Sequence, residues 1–200
     1  REDPVVVEEP LSIFIQGEPW TVTLRSPGQD EALAVGLLYS EGLIASADDI
    51  LSIETDDGIH VTFKEPPDLK EHRYALERNS ACGLCGAQSI DQLARRWLPI
   101  KHRTHATEAE LMAAPEHLRR RQKIFQLTGG IHGASLCRVG ESSPLAVAED
   151  VGRHNAVDKL LGLAVVKEWV NEPGLILAVT SRIGFEIAAK AWALGAEFLV

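Results

Sequence analysis

Two thiols stand in the run Asn79, Ser80, Ala81, Cys82, Gly83, Leu84, Cys85, Gly86, and a helical pattern follows over Ala87–Trp97. A cysteine just ahead of a helix start feels the positive end of the helix dipole, which lowers its pKa and enlarges the nucleophilic thiolate fraction. Arg78 adds positive charge nearby. The flanking glycines let the chain fold tightly and leave the sulfur uncovered, as an acceptor of sulfur from a bulky protein donor requires. Attack of such a thiolate on a donor persulfide resembles disulfide exchange, in which one sulfur leaves as another is captured.

The same spacing serves other chemistries. A thioredoxin-like redox site would need a compact βαβ setting, and the residues before Cys82 do not read as a buried strand. A zinc site could add His102 and His105, although the spacer is long and the histidines are one residue closer than in the usual finger. A zinc deaminase needs a histidine or cysteine followed by glutamate, and then Pro-Cys-x-x-Cys; here His132 is followed by Gly133 and Ala134, and the cysteine pair comes earlier. Cys137, beside Leu136 in an apolar run, reads as a small core residue.

Three further clusters could bind a ligand. Gly129 and Gly130 permit close backbone approach, with His132 beside them as a donor or proton acceptor. Glu149 to Asn155 places Arg153, His154 and Asn155 at a helix start, where anions bind; Asp150 is expected to be the N-cap and to share a face with His154 and Asp158. Ser181 and Arg182, followed by Phe185 and Glu186, come after a strand whose carboxyl end would border a ligand crevice in an open α/β sheet.

The elements that must position these groups are legible from periodicity. Leu11 to Gln16 and Trp20 to Leu24 predict a hairpin around Gly17 to Pro19, and a helix follows from about Asp30 to a stop at Gly42. Ile50 to Thr55 and Ile59 to Phe63 flank Asp57-Gly58, a strong hairpin signal. Glu71 to Thr107 reads as a loop-rich connector, and Glu108 to Phe125 as a helix broken or kinked near Pro115. Beyond it, strands are expected at 134–139, 145–148, 175–180 and 196–200, with helices at 151–170 and 185–194. That alternation predicts parallel crossovers and an α/β layer architecture. The expected organisation is an N-terminal α+β region over residues 1–70, a cysteine-bearing connector over 71–106 and an α/β core over 107–200. The chain stops within an apolar run, so more core is expected downstream.

Of the 200 residues, 45% are hydrophobic and 24% charged, a composition that supports a folded core. The net charge of −9 opposes phosphate backbones and argues against nucleic acid. Arg119, Arg120, Arg121 and Lys123 form one basic run, read as a solvated helix face. An odd cysteine count of three does not make a secreted disulfide framework. No signal sequence or membrane-length apolar run is evident, so the expected location is cytoplasmic, away from the membrane.

Four ordered segments together resemble the formate dehydrogenase accessory sulfurtransferase family, FdhD: ERNSACGLCG from Glu77, TGGIHGASL from Thr128, EDVGRHNAVDKLLG from Glu149 and SRIGFEIAAKA from Ser181. The resemblance implies a cytidine-deaminase-like α/β core and a homodimer. It implies a sulfur carrier between a cysteine desulfurase and the molybdenum or tungsten bis(molybdopterin guanine dinucleotide) cofactor, which is bound as substrate and destined for formate dehydrogenase. Cys82 would hold the persulfide, and Cys85 would assist or resolve it. Gly129, Gly130, His132, Arg153, His154, Asn155, Ser181 and Arg182 would line the cofactor surface, with no resident metal. Gly184 departs from the small hydroxyl residue usual in the family, and the family's glycine-rich C-terminal segment does not appear. A zinc-binding hydrolase and a non-catalytic cofactor chaperone are the alternative readings.

Overall fold

The computed structural model describes residues 3–67, 69 and 99–200. Cys82, Cys85 and the helix expected over Ala87–Trp97 lie outside the described residues.

The first sheet comprises β1 (Glu9–Ile15), β2 (Glu18–Arg25), β3 (Ile50–Thr55) and β4 (Ile59–Phe63) in the order β2-β1-β4-β3. Its outer pairs are the two expected antiparallel hairpins, and β1 and β4 join them in parallel. The β1–β2 turn is made by Gln16 and Gly17, both at positive φ (53° and 79°), the backbone twist that suits a two-residue hairpin. Alternation places Leu11, Ile13 and Ile15 of β1 and Ile59, Val61 and Phe63 of β4 in the core. Helix α1 (Asp30–Ser40) follows β2 and is buried from Ala32 to Tyr39.

The second sheet comprises β5 (His132–Arg138), β6 (Ala146–Asp150), β7 (Leu175–Val179) and β8 (Phe198–Leu199) in the order β6-β5-β7-β8. β5 is antiparallel to both neighbours, while β7 and β8 are parallel. Helix α4 (Arg153–Val166) therefore crosses from β6 to β7 over the intervening β5, and α5 (Phe185–Leu194) carries the chain from β7 to β8. The expected parallel crossovers are present within a mixed sheet. α4 packs on the face of β5 and β6, while α2 (Glu108–Arg121) covers β5 and β7 from the other side through Ala114 and Leu118.

The two sheets share one hydrophobic cluster, which runs from Leu11 to Ala196. Its tightest point is the crossing of α1 and α4. A Cβ on Gly36 would lie 1.8 Å from the Asp158 carbonyl oxygen, and one on Gly162 would lie 1.8 Å from that of Ala32. The two backbones are in contact, and only glycine permits it.

Two local expectations are corrected. The helix does not break at Pro115, which lies inside α2; the division comes at Gln122, whose extended backbone separates α2 from α3 (Lys123–Thr128). The helix after β6 spans Arg153–Val166 and stops short of Val170, because Glu168 turns into the left-handed region at φ 59°. Among the described residues, no helix is long and apolar enough to cross a membrane.

Candidate functional site

Because β5 runs against β6 and β7, its amino end lies beside their carboxyl ends. His132 is paired with Asp150, and Ala134 with Val179. The Gly133 N–H donates to the Thr180 hydroxyl at 2.9 Å, and the Thr180 N–H donates back to the Gly133 carbonyl at 3.0 Å. The segments beginning at Thr128, Glu149 and Ser181, far apart in sequence, thus meet along one rim of the second sheet. Helices α4 and α5 both start at this rim. Their N-caps, Gly152 and Gly184, supply no side-chain cap, so the first-turn N–H groups are available to an anion.

On the near side, Gly129 takes the left-handed conformation (φ 66°) that ends α3, its N–H donating to the Phe125 carbonyl at 2.8 Å. Gly129 and Gly130 are exposed. His132 is half-buried, and burial followed by the positive charge of Arg153 pushes its pKa below the ordinary histidine value. Arg153 and His154 begin α4. The Nε2 of His154 lies 2.8 Å from Oε2 of Glu186, in the first turn of α5, so this pair spans the two helix starts. The Ser181 hydroxyl donates to the Arg182 carbonyl at 3.2 Å, and Arg182 is exposed.

The other polar groups of the Glu149 segment turn inward. Asp150 is not an N-cap, as the sequence suggested: it closes β6, fully buried, and faces Lys159 across 2.8 Å. Its other partners are the backbone N–H groups of Ser26 (3.1 Å) and Gly152 (2.8 Å) and the side-chain amide of Asn155 (3.4 Å). Lys159 also donates to the carbonyls of Ser26 (2.7 Å) and Glu149 (3.3 Å), giving all three of its N–H bonds an acceptor. Asn155 donates to the Leu24 carbonyl at 2.6 Å and accepts from the Thr23 hydroxyl at 3.4 Å, which ties α4 to β2. Buried Asp158 pairs with Lys190. Glu149 accepts the Ile124 and Phe125 N–H groups at 3.0 and 2.9 Å, capping α3. What remains on the rim includes the Arg153 and Arg182 guanidinium groups, two histidines and the Glu186 carboxylate.

Sequence reasoning placed Glu186 in the third candidate cluster without foreseeing its pairing with His154, and it assigned no role to Glu149 as a cap or to Ser26. The first two lay within the quoted segments, so their types were a usable signal. Ser26 carried none, because its importance comes from a contact 124 residues away in the chain.

Cys82 and Cys85 fall outside the described residues, so their distance from the rim is not part of this geometry. Cys137 is buried, as expected of a core residue, and burial pushes its thiol pKa up. His102 and His105 are exposed, and no three His, Cys, Asp or Glu side chains among the described residues form a metal-binding group. Arg119, Arg120 and Arg121 are exposed at the end of α2, where positive charge suits the helix dipole; that agrees with a solvated face.

The profile of the FdhD/NarQ family matches residues 6–200. A protein of Streptomyces avermitilis named sulfur carrier protein FdhD is 40% identical over 215 residues, covering 100% of this chain and 76% of its own length. Its namesake in Mycobacterium tuberculosis is 36% identical over 218 residues, covering 100% of this chain and 78% of that protein. Among solved structures, a formate dehydrogenase accessory protein from Desulfotalea psychrophila superposes with a TM-score of 0.75 at 21% identity, covering 100% of this chain and 75% of the other. That likeness establishes a shared mixed α/β fold.

Proposed function

The chain belongs to the FdhD/NarQ family, and from that premise we propose that it is a sulfur carrier serving formate dehydrogenase maturation. The observation that carries this reading is the match of the whole of this chain to 76% and 78% of the length of relatives named as sulfur carriers. The rim, built from the other three motif segments and bearing the Arg153 and Arg182 guanidinium groups, supports it as a surface for an anionic cofactor.

In this reading the Cys82 thiolate attacks the outer sulfur of a cysteine desulfurase persulfide. A new S–S bond forms on Cys82, and the donor cysteine leaves as thiolate. Attack of the Cys85 thiolate on the inner sulfur then closes a Cys82–Cys85 disulfide and expels the outer sulfur as hydrosulfide. The two electrons released by disulfide formation reduce that sulfur to the level of a metal sulfido ligand. A cellular dithiol reductant restores the pair.

The acceptor is the molybdenum or tungsten bis(molybdopterin guanine dinucleotide) cofactor, bound as substrate. Arg153, His154 and Arg182, with the open starts of α4 and α5, would hold its phosphates. Gly129 and Gly130 would let it approach the backbone, with His132 and Ser181 as neighbouring polar groups. Asn155 would contribute by fixing the α4 start from below. The reading further includes a cytidine-deaminase-like layering of the second sheet, a homodimer, and a cytoplasmic setting shared with the desulfurase and the apo-dehydrogenase.

Incubation with a cysteine desulfurase and cysteine, followed by intact mass measurement, tests the assignment. Wild type and Cys137→Ala should gain the mass of sulfur, released by reductant, while Cys82→Ala should not. Cys85→Ala should load sulfur but deliver it poorly. Equal loading of Cys82→Ala rejects the mechanism, and full dehydrogenase activation by a Cys82→Ala, Cys85→Ala variant would point to a chaperone.

A further inference from the structure

Ser26, in the connection from β2 to α1, is 2% exposed and directs all three of its polar groups at the turn that begins α4. Its N–H donates to Oδ2 of Asp150 at 3.1 Å, its hydroxyl accepts the Val151 N–H at 3.1 Å, and its carbonyl accepts from Lys159 at 2.7 Å. The flanking residues reinforce the contact: Asn155 donates to the Leu24 carbonyl at 2.6 Å, and the Gln29 amide to the Val147 carbonyl at 3.4 Å. The two N–H groups just ahead of the helix thus have acceptors, Val151 on Ser26 and Gly152 on Asp150, and the Ala156 N–H returns to the Gly152 carbonyl. Between them, the N–H groups of Arg153, His154 and Asn155 have no acceptor among the described residues, since α4 carries no side-chain cap.

We propose that Ser26 is a positioning residue for ligand binding at the rim: through its hydroxyl, the first sheet fixes which N–H groups of α4 an anionic ligand meets and the point from which the Arg153 side chain extends. The inference rests on the reading of this rim as the cofactor surface. Phosphate binding needs converging donors already in place, so a turn that is free to shift loses affinity without losing any group that touches the ligand. Ser26→Ala removes one acceptor and no charge. The Val151 N–H is then left unpaired in a buried contact, and the turn must shift to satisfy it. Gly152 and the α4 start move with it.

The test is calorimetric titration of the full chain with P1,P2-diguanosine diphosphate, a mimic of the dinucleotide arms, well below the thermal midpoint of each variant. Ser26→Ala should bind about fivefold more weakly than wild type, the effect of one lost hydrogen bond. Ser26→Thr keeps the hydroxyl and should restore most of that affinity. Ile59→Val, a core change in β4, should lower the midpoint comparably and keep the wild-type affinity, which separates positioning from stability. Amide exchange on the wild type adds a reading that needs no variant: Val151 should be protected in the free protein, while Arg153, His154 and Asn155 exchange fast until the diphosphate protects them. Wild-type affinity in Ser26→Ala, an equal loss in Ser26→Thr or Ile59→Val, or fast exchange at Val151 overturns the proposal alone. If wild type does not bind the diphosphate, or Arg153→Ala binds it equally well, the cofactor reading of the rim fails and the proposal fails with it.

Discussion

The Lys159 ammonium and the Asp150 carboxylate lie 2.8 Å apart, 1% and 0% exposed, at the point where the first sheet's β2–α1 connection meets the turn that begins α4. A buried pair of this kind is tolerable because every polar atom has a partner, here supplied by Ser26, Gly152 and Glu149. The pair holds from behind the turn that presents Arg153 and His154.

Removing one member should therefore strand the other. Asp150→Asn leaves the Lys159 charge without its counterion and is expected to destabilise the fold by about 3–5 kcal/mol. Lys159→Met should be comparably damaging. Urea unfolding of the singles and the double variant measures the coupling; additive losses would show that the two groups do not act as a unit.

The glycines at the helix crossing make a second prediction. Gly36→Ala and Gly162→Ala each drive a methyl into a backbone carbonyl of the facing helix, where no rotamer can relieve it. Each should cost on the order of 3 kcal/mol, and the helices must separate to accommodate it. As a control, Gly140→Asn at an open turn with positive φ should stay near wild type in thermal unfolding. If Gly36→Ala unfolds at the wild-type midpoint, the helices are not in backbone contact.

His132 gives a pH-dependent prediction. Burial and the Arg153 charge depress its folded pKa, so the folded protein binds this proton less readily than the unfolded chain. Its stabilising contribution is complete above the ordinary histidine pKa and is lost as pH falls through the depressed folded value. Arg153→Ala should move the His132 titration upward, part of the way back, when followed by NMR of the imidazole. An unmoved titration would show that Arg153 does not act on it.

Much of the architecture was written locally. The alternation of Leu11, Ile13 and Ile15, the Asp57-Gly58 turn and the run Phe185–Leu194 each name their element, because periodicity and turn chemistry are properties of neighbouring residues. Pro115 misled for a related reason: proline weakens a helix locally, yet packing of Ala114 and Leu118 against the sheet holds α2 across it. Asp150 likewise fits the residue type of an N-cap. Only the burial of Lys159 beside it reveals its actual role.

The sequence by itself determined the residue types available for chemistry, the succession of strands and helices, and the ordered motifs that mark the family. Tertiary structure alone decided which polar groups of those motifs face outward and which turn in to join the two sheets. It also decided that Glu186 meets His154 across 32 residues of chain. Such pairings depend on strand order and helix crossing, which arise from the packing of the whole core and leave no mark on any short stretch of sequence.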